Sequence, residues 1–148
     1  MIDSNATPAL KQAAQNPWYL LATLYGDRYG FNKELRDKNR VAWNRYYAST
    51  WTDEQREMLK ERVEAAELVP FDDTELSEMR ERFRARAAGI QVEMPGADRR
   101  IDFRQCQFDQ AIFDGYVFNS ANFSSATFSR SANFRNATFS GFAFFSRA

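Results

Sequence analysis

One cysteine, a set of closely spaced glutamates and a run of arginines are the side chains of this 148-residue sequence whose spacing could support chemistry. Cys106 is the single thiol, and a thiolate nucleophile needs a neighbouring base or cation to lower its pKa. The chain contains no histidine, which excludes histidine-based triads, histidine-ligated metals and imidazole acid/base catalysis. One cysteine supplies neither an internal disulfide nor a multi-thiolate zinc site. Glu54, Glu57, Glu61 and Glu64 fall three or four residues apart, as a carboxylate acid/base pair would, but Arg56, Lys60 and Arg62 are interleaved. That alternation describes a solvated helix with ion pairs one turn apart. In Arg80–Arg86, Arg80 shares a helical stripe with Arg84, and Arg82 with Arg86. The stripes could touch phosphates, yet Glu75, Glu78 and Glu81 dilute them, and a solvated capping helix is the simpler reading. No glycine-rich phosphate loop or metal-ligand spacing is visible. We expect no catalytic residue and no cofactor.

Charge and composition extend these exclusions. Twenty basic and twenty acidic residues cancel, so the chain is not built as a general polyanion binder, and nucleic acid is not an expected partner. Apolar residues make up 44% and charged residues 27%, which suits a folded core. The first sixteen residues show no basic segment followed by an apolar run, and the apolar stretch Trp18–Tyr25 is far shorter than the roughly 20 residues that span a bilayer. A soluble, cytoplasmic protein without membrane contact is expected.

The elements that must position these side chains follow two grammars. Residues 1–100 hold 16 of the 20 basic and 17 of the 20 acidic residues and all three tryptophans, whereas 101–148 hold eleven of the fourteen phenylalanines. We expect a flexible tail over 1–16, three or four short helices over 17–88, a Gly/Pro-containing connector over 89–100 and a repeat over 101–148. Asn16-Pro17 is a helix start, with Trp18, Leu21 and Tyr25 on one face and Gly26 as a stop. Asn32 caps a second helix with Leu35, Ala42, Trp43 and Tyr46 along its apolar side. Thr52-x-x-Gln55 and Asp72-x-x-Glu75 have capping-box spacing; the first opens a helix that buries Leu59 and Val63, and the second precedes Leu76, Met79 and Phe83. Helices this short must pack on something, with Trp18, Trp43 and Trp51 as anchors.

In the second half phenylalanine recurs every five residues at Phe103, Phe108, Phe113, Phe118, Phe123 and Phe128, then after a six-residue step at Phe134, Phe139 and Phe144. Two residues earlier stand Ile101, Cys106, Ala111, Tyr116, Ala121, Ala126, Ala132, Ala137 and Phe142, mostly small. Period five suits neither a helix nor a flat strand. It suits a chain that turns a corner every five residues, with ring and small partner inside and Ser, Asn, Asp and Thr outside. Four sides make about 20 residues per coil and about two and a half coils in all, bonded as in other parallel solenoids. The core is then Phe103, Phe108, Phe113, Phe118, Phe123, Phe128, Phe134, Phe139 and Phe144 with Cys106, Ala111, Ala121, Ala126, Ala132 and Ala137. Tyr116 and Phe142 are too large for the small position and force a wider corner or an outward ring. The extra residue, Arg130 or Ser131, makes a bulge.

Ala121-Asn122-Phe123-Ser124-Ser125 and Ala132-Asn133-Phe134-Arg135-Asn136 match the motif A-(D/N)-(L/F)-x-x in full, and residues 101–148 resemble the pentapeptide-repeat family. The resemblance implies a right-handed quadrilateral parallel β-helix, and with the helices read above the expected fold is α+β, its helical N-terminal region capping that short solenoid. The segments NPWYLLATLYG and NRVAWNRYY resemble the N-terminal extension of some bacterial members, a likeness that carries no activity.

Solenoid ends need covers. Ile101 and Phe103 are expected to meet the apolar side of the last helix at one end. The other end carries Phe142, Phe144 and Phe145 with no capping helix, a surface for association. Either two copies dimerise there or the sequence stops within a longer array. A non-enzymatic protein-binding or scaffold module, with an unknown protein partner or a second copy, is the expected function. Some family members regulate type II topoisomerases by mimicking duplex DNA. That role needs a long acidic rod, whereas residues 101–148 carry three aspartates against four arginines and rise only about 12 Å.

Overall fold

A computed structural model describes residues 10–30 and 32–148. In chain order it contains β1 (Lys11–Gln12), a short 3-10 turn (Ala13–Gln15), α1 (Pro17–Ala22), α2 (Lys33–Ala48), α3 (Asp53–Leu59), a second 3-10 turn (Ala65–Leu68) and α4 (Asp73–Arg86). Five strands follow: β2 (Ile101–Asp102), β3 (Cys106–Ile112), β4 (Val117–Asn122), β5 (Thr127–Asn133) and β6 (Thr138–Phe144). The fold is α+β.

Local chemistry explains the helix boundaries. Asn16 Oδ1 accepts from the backbone N–H of Trp18 and Tyr19 at 2.9 and 3.1 Å, and Pro17 occupies the first helical position. Thr52 with Gln55 and Asp72 with Glu75 form reciprocal capping boxes that open α3 and α4. α1 stops at Ala22, before the expected Gly26. The Thr23 hydroxyl donates back to the Tyr19 carbonyl at 2.7 Å and Asn39 Oδ1 takes the Tyr25 N–H at 2.8 Å, so the chain is drawn off the helix. Tyr25 is consequently exposed rather than on a buried face.

The strands form two parallel three-stranded sheets, ordered β1-β3-β5 and β2-β4-β6. Partners lie 20 residues apart at Ile101↔Ala121 and Phe108↔Phe128, and 21 apart at Ala111↔Ala132 and Phe118↔Phe139. Each chain layer thus stacks on the one before. β1 corrects the expectation of a flexible tail to residue 16: Lys11 and Gln12 pair with Cys106 and Gln107, adding a strand below β3. Residues 1–9 of that expected tail lie outside the described residues.

A single main core runs from the helices into the strands and contains Trp18, Trp43, Met79 and Phe83 together with Phe103, Phe108, Phe113, Phe118 and Phe123. Trp51 belongs instead to a smaller cluster with Ala48, Leu59 and Val117. α1 and α2 cover the first layer, and Met79 and Phe83 of α4 join the same buried core as Ile101 and Phe103. Tyr19 of α1 packs on Phe108 and Trp43 of α2 on Phe118, with ring centroids 5.9 and 5.6 Å apart. α4 lies against α1, where Arg86 donates to the Thr23 carbonyl and hydroxyl at 2.8 and 2.9 Å. Asn44 of α2 stands in for a missing strand: its Oδ1 accepts from Val117 N at 2.9 Å and its Nδ2 donates to Gly115 O at 3.1 Å. Trp43 Nε1 donates to Val117 O at 3.0 Å. Buried backbone groups at this edge are therefore paired without another layer.

Candidate functional site

The repeat is built from three positions with separate tasks. The first is small and inward: Cys106, Ala111, Ala121 and Ala126 are buried, Ala137 is half-buried and Ala132 is exposed. The second holds a side-chain acceptor in three units. Asp102, Asn122 and Asn133 accept from the backbone N–H two residues on, at 3.0, 2.9 and 2.9 Å, and so stabilise the turn that follows. The third is a ring. Two residues after the ring the backbone turns left-handed, at Gln105, Gly115, Ser120, Ser125, Asn136, Gly141 and Arg147, with φ from 58° to 78°.

The rings stack in four columns. Phe103–Phe123–Phe145, Phe108–Phe128, Phe113–Phe134 and Phe118–Phe139 have successive centroids 4.9–5.5 Å apart. Phe103, Phe108, Phe113, Phe118 and Phe123 are buried, Phe128 and Phe134 half-buried, and Phe139 exposed.

Cys106 is sealed in this interior. Burial first, and then the Asp102 charge, push its thiol pKa up to about 12, the opposite of an activated nucleophile. Tyr116 occupies a small-residue position with its ring buried and its hydroxyl donating to Ala22 O at 2.6 Å, so the helical cap absorbs the excess size. The extra residue before Phe134 is taken up at Ser129–Arg130 opposite Asp109, where Arg130 Nε and Nη2 reach the Asp109 carboxylate at 2.9 and 2.8 Å.

A second bulge corrects the expected register of the last unit. β6 slips against β4 between Asn119 and Ala121, so Ala143, not Phe142, faces Ala121, and Phe144 faces Asn122. Phe145 therefore takes the inward ring position assigned above to Phe144. Its ring lies 4.9 Å from that of Phe123 at an interplanar angle of 2°. Gly141, at φ +69°, lies within the extra step, where an added Cβ would come within 2.6 Å of Ser120 Oγ.

Residues 101–141 match a family model described as pentapeptide repeats, in eight copies. The chain carries pentapeptide repeats at residues 101–141. No curated protein and no solved structure matches it.

Apolar residues at the second position are buried at Ile112 and Val117, but exposed in the last unit. Phe144 fills the acceptor position that Asp102, Asn122 and Asn133 hold elsewhere, and Phe142 occupies the bulge. Their rings are stacked at 5.9 Å and 9°, with Phe142 62% and Phe144 42% exposed. Phe145 closes its column and is 42% exposed on the axial end. Two apolar surfaces meet here: a ring pair on the outer wall and the open end of the columns. The second bulge creates the pair, and spacing alone did not reveal it.

The helical half offers a groove of about 1160 Å³ between α2 and α4. Its floor includes Leu24, Ala42 and Met79, and several of its wall charges are paired with one another. Lys33 pairs with Asp37 at 2.6 Å, Lys38 with Glu34 at 3.4 Å and Arg45 with Glu75 at 2.6 Å. Of the α3 carboxylates, Glu57 pairs with Lys60 at 2.6 Å in solvent. Among the described residues no helix is long and apolar enough to cross a membrane.

Proposed function

We propose that this chain is a non-enzymatic protein-binding or scaffold module of the cytoplasm, in which residues 101–148 wind as a short right-handed quadrilateral β-helix. Four ring columns, partners 20 or 21 residues apart and a left-handed residue after most rings support the square coil. The observation that carries the function is the asymmetry of the two ends. Helices with surrogate hydrogen bonds seal the first layer, whereas Phe142, Phe144 and Phe145 face solvent on the last. Exposed contiguous rings beside unpaired strand edges are a surface for a partner.

A second copy is the alternative occupant, favoured by the same rings and by the free outer edges of β5 and β6. Regulation of a nucleic-acid enzyme by duplex mimicry has less support, because residues 115–148 contain no Asp or Glu. Affinity capture from the native host, with wild type beside F142S/F144S, tests the function. The module reading predicts a partner or a second copy that the variant loses. Capture identical for both proteins contradicts it.

A further inference from the structure

Resting on that reading, we infer that the occupant of the last layer is an extended acidic segment of another protein. It adds as a strand along the free edge of β6, between Arg135 and Arg147. β6 is the outer strand of its sheet and bonds to β4 on one side only. Strand addition to such an edge draws affinity from the main chain and specificity from alternate side chains. Inward side chains of the segment would cover Phe139 and Phe145, and outward ones would lie beside Phe142 and Phe144.

Charge selects the chemistry. From Gly115 to Ala148 the sequence has no carboxylate side chain and three arginines. Arg130 is held by Asp109. Arg135 and Arg147 have no ion pair among the described residues, and they stand three residues before and three after β6. A two-fold contact between copies would bring like charges together with no carboxylate side chain of residues 115–148 to meet them, whereas an acidic strand supplies the complement.

The test uses the full chain and a short labelled peptide that alternates valine and threonine and carries glutamates at both ends, against its lysine counterpart. Anisotropy should show binding of the glutamate peptide only. Affinity should fall about tenfold or more in R135E/R147E and weaken as salt rises from about 0.05 to 0.5 M. Equal binding of both peptides, indifference to the charge reversal, or no binding overturns the inference. Light scattering on the same samples separates the two levels. A dimer that F142S/F144S dissociates, with the peptide ignored, removes the acidic partner and keeps the association surface. Neither dimer nor peptide binding removes the acidic segment and leaves the association surface to the capture comparison above.

Discussion

Phe145 lies parallel over Phe123, with ring centroids 4.9 Å apart, although the five-residue spacing points to Phe144 for that place. The stack, the Ala121↔Ala143 pairing and the left-handed Arg147 two residues later agree on the shifted register. Truncating Phe123 to Ala should then cost about 3–5 kcal/mol, as for a ring lost from a packed interior. Phe144→Ser should cost less than about 1 kcal/mol, because Phe144 faces solvent. Denaturant unfolding of the two variants checks the pair, and a reversed ranking restores the unshifted register.

Asn44 joins helix to strand at one residue. Removing its side chain in Asn44→Ala leaves the Val117 N–H and Gly115 carbonyl without their partners and frees Glu67 Oε1 of one contact. Orphaned buried groups cost about 1–3 kcal/mol each. The unfolding free energy should fall by at least about 2 kcal/mol, with faster amide exchange at Val117. An unchanged exchange rate would show that Asn44 does not protect this amide.

Those two residues also mark what was legible. The Ala-Asn-Phe triplets at 121–123 and 132–134 carry the pentapeptide pattern because small residue, acceptor and ring return together. Phe142, Phe144 and Phe145 permit two registers, and hydropathy cannot choose between rings. The choice is made by the bulge at Gly141 and by stacking on Phe123. Asn44 reaches backbone more than seventy positions away, and no local signal announces such a contact. Lys11–Gln12 form a strand only because β3 offers an edge, so a polar dipeptide read as tail becomes sheet. The helix starts at Asn16, Thr52 and Asp72 were legible because a cap is written within four residues.

Cys106 should resist alkylation. With burial raising its thiol to about 12, iodoacetamide at pH 8 should modify the native chain far more slowly than the chain in denaturant. Mass spectrometry over time measures the ratio. Equal rates would place the thiol outside the core.

Acid should weaken the fold through carboxylates held below their usual range. Hydrogen bonding to Lys33, with Arg40 beside it, lowers Asp37. Burial pushes Asp102 up, but its bonds to Arg104 outweigh this and leave it lowered. A depressed folded-state pKa contributes stability above the unfolded value near 4 and loses it as pH falls further. Stability should therefore be flat from about pH 7 to 5 and decline below about pH 4, with a shallower decline in Asp102→Asn. Unfolding curves across that range decide it, and an identical slope in the variant contradicts the assignment.

Site-specific photo-crosslinking in the native host addresses the binding face itself. Phe142→p-benzoylphenylalanine places the probe on the outer-wall ring pair, and Met58→p-benzoylphenylalanine places it on exposed α3. Discrete adducts from position 142 and none from 58 are the predicted result. Adducts from 58 with none from 142 would move the interaction to the helices and leave the exposed rings of the last layer without a role.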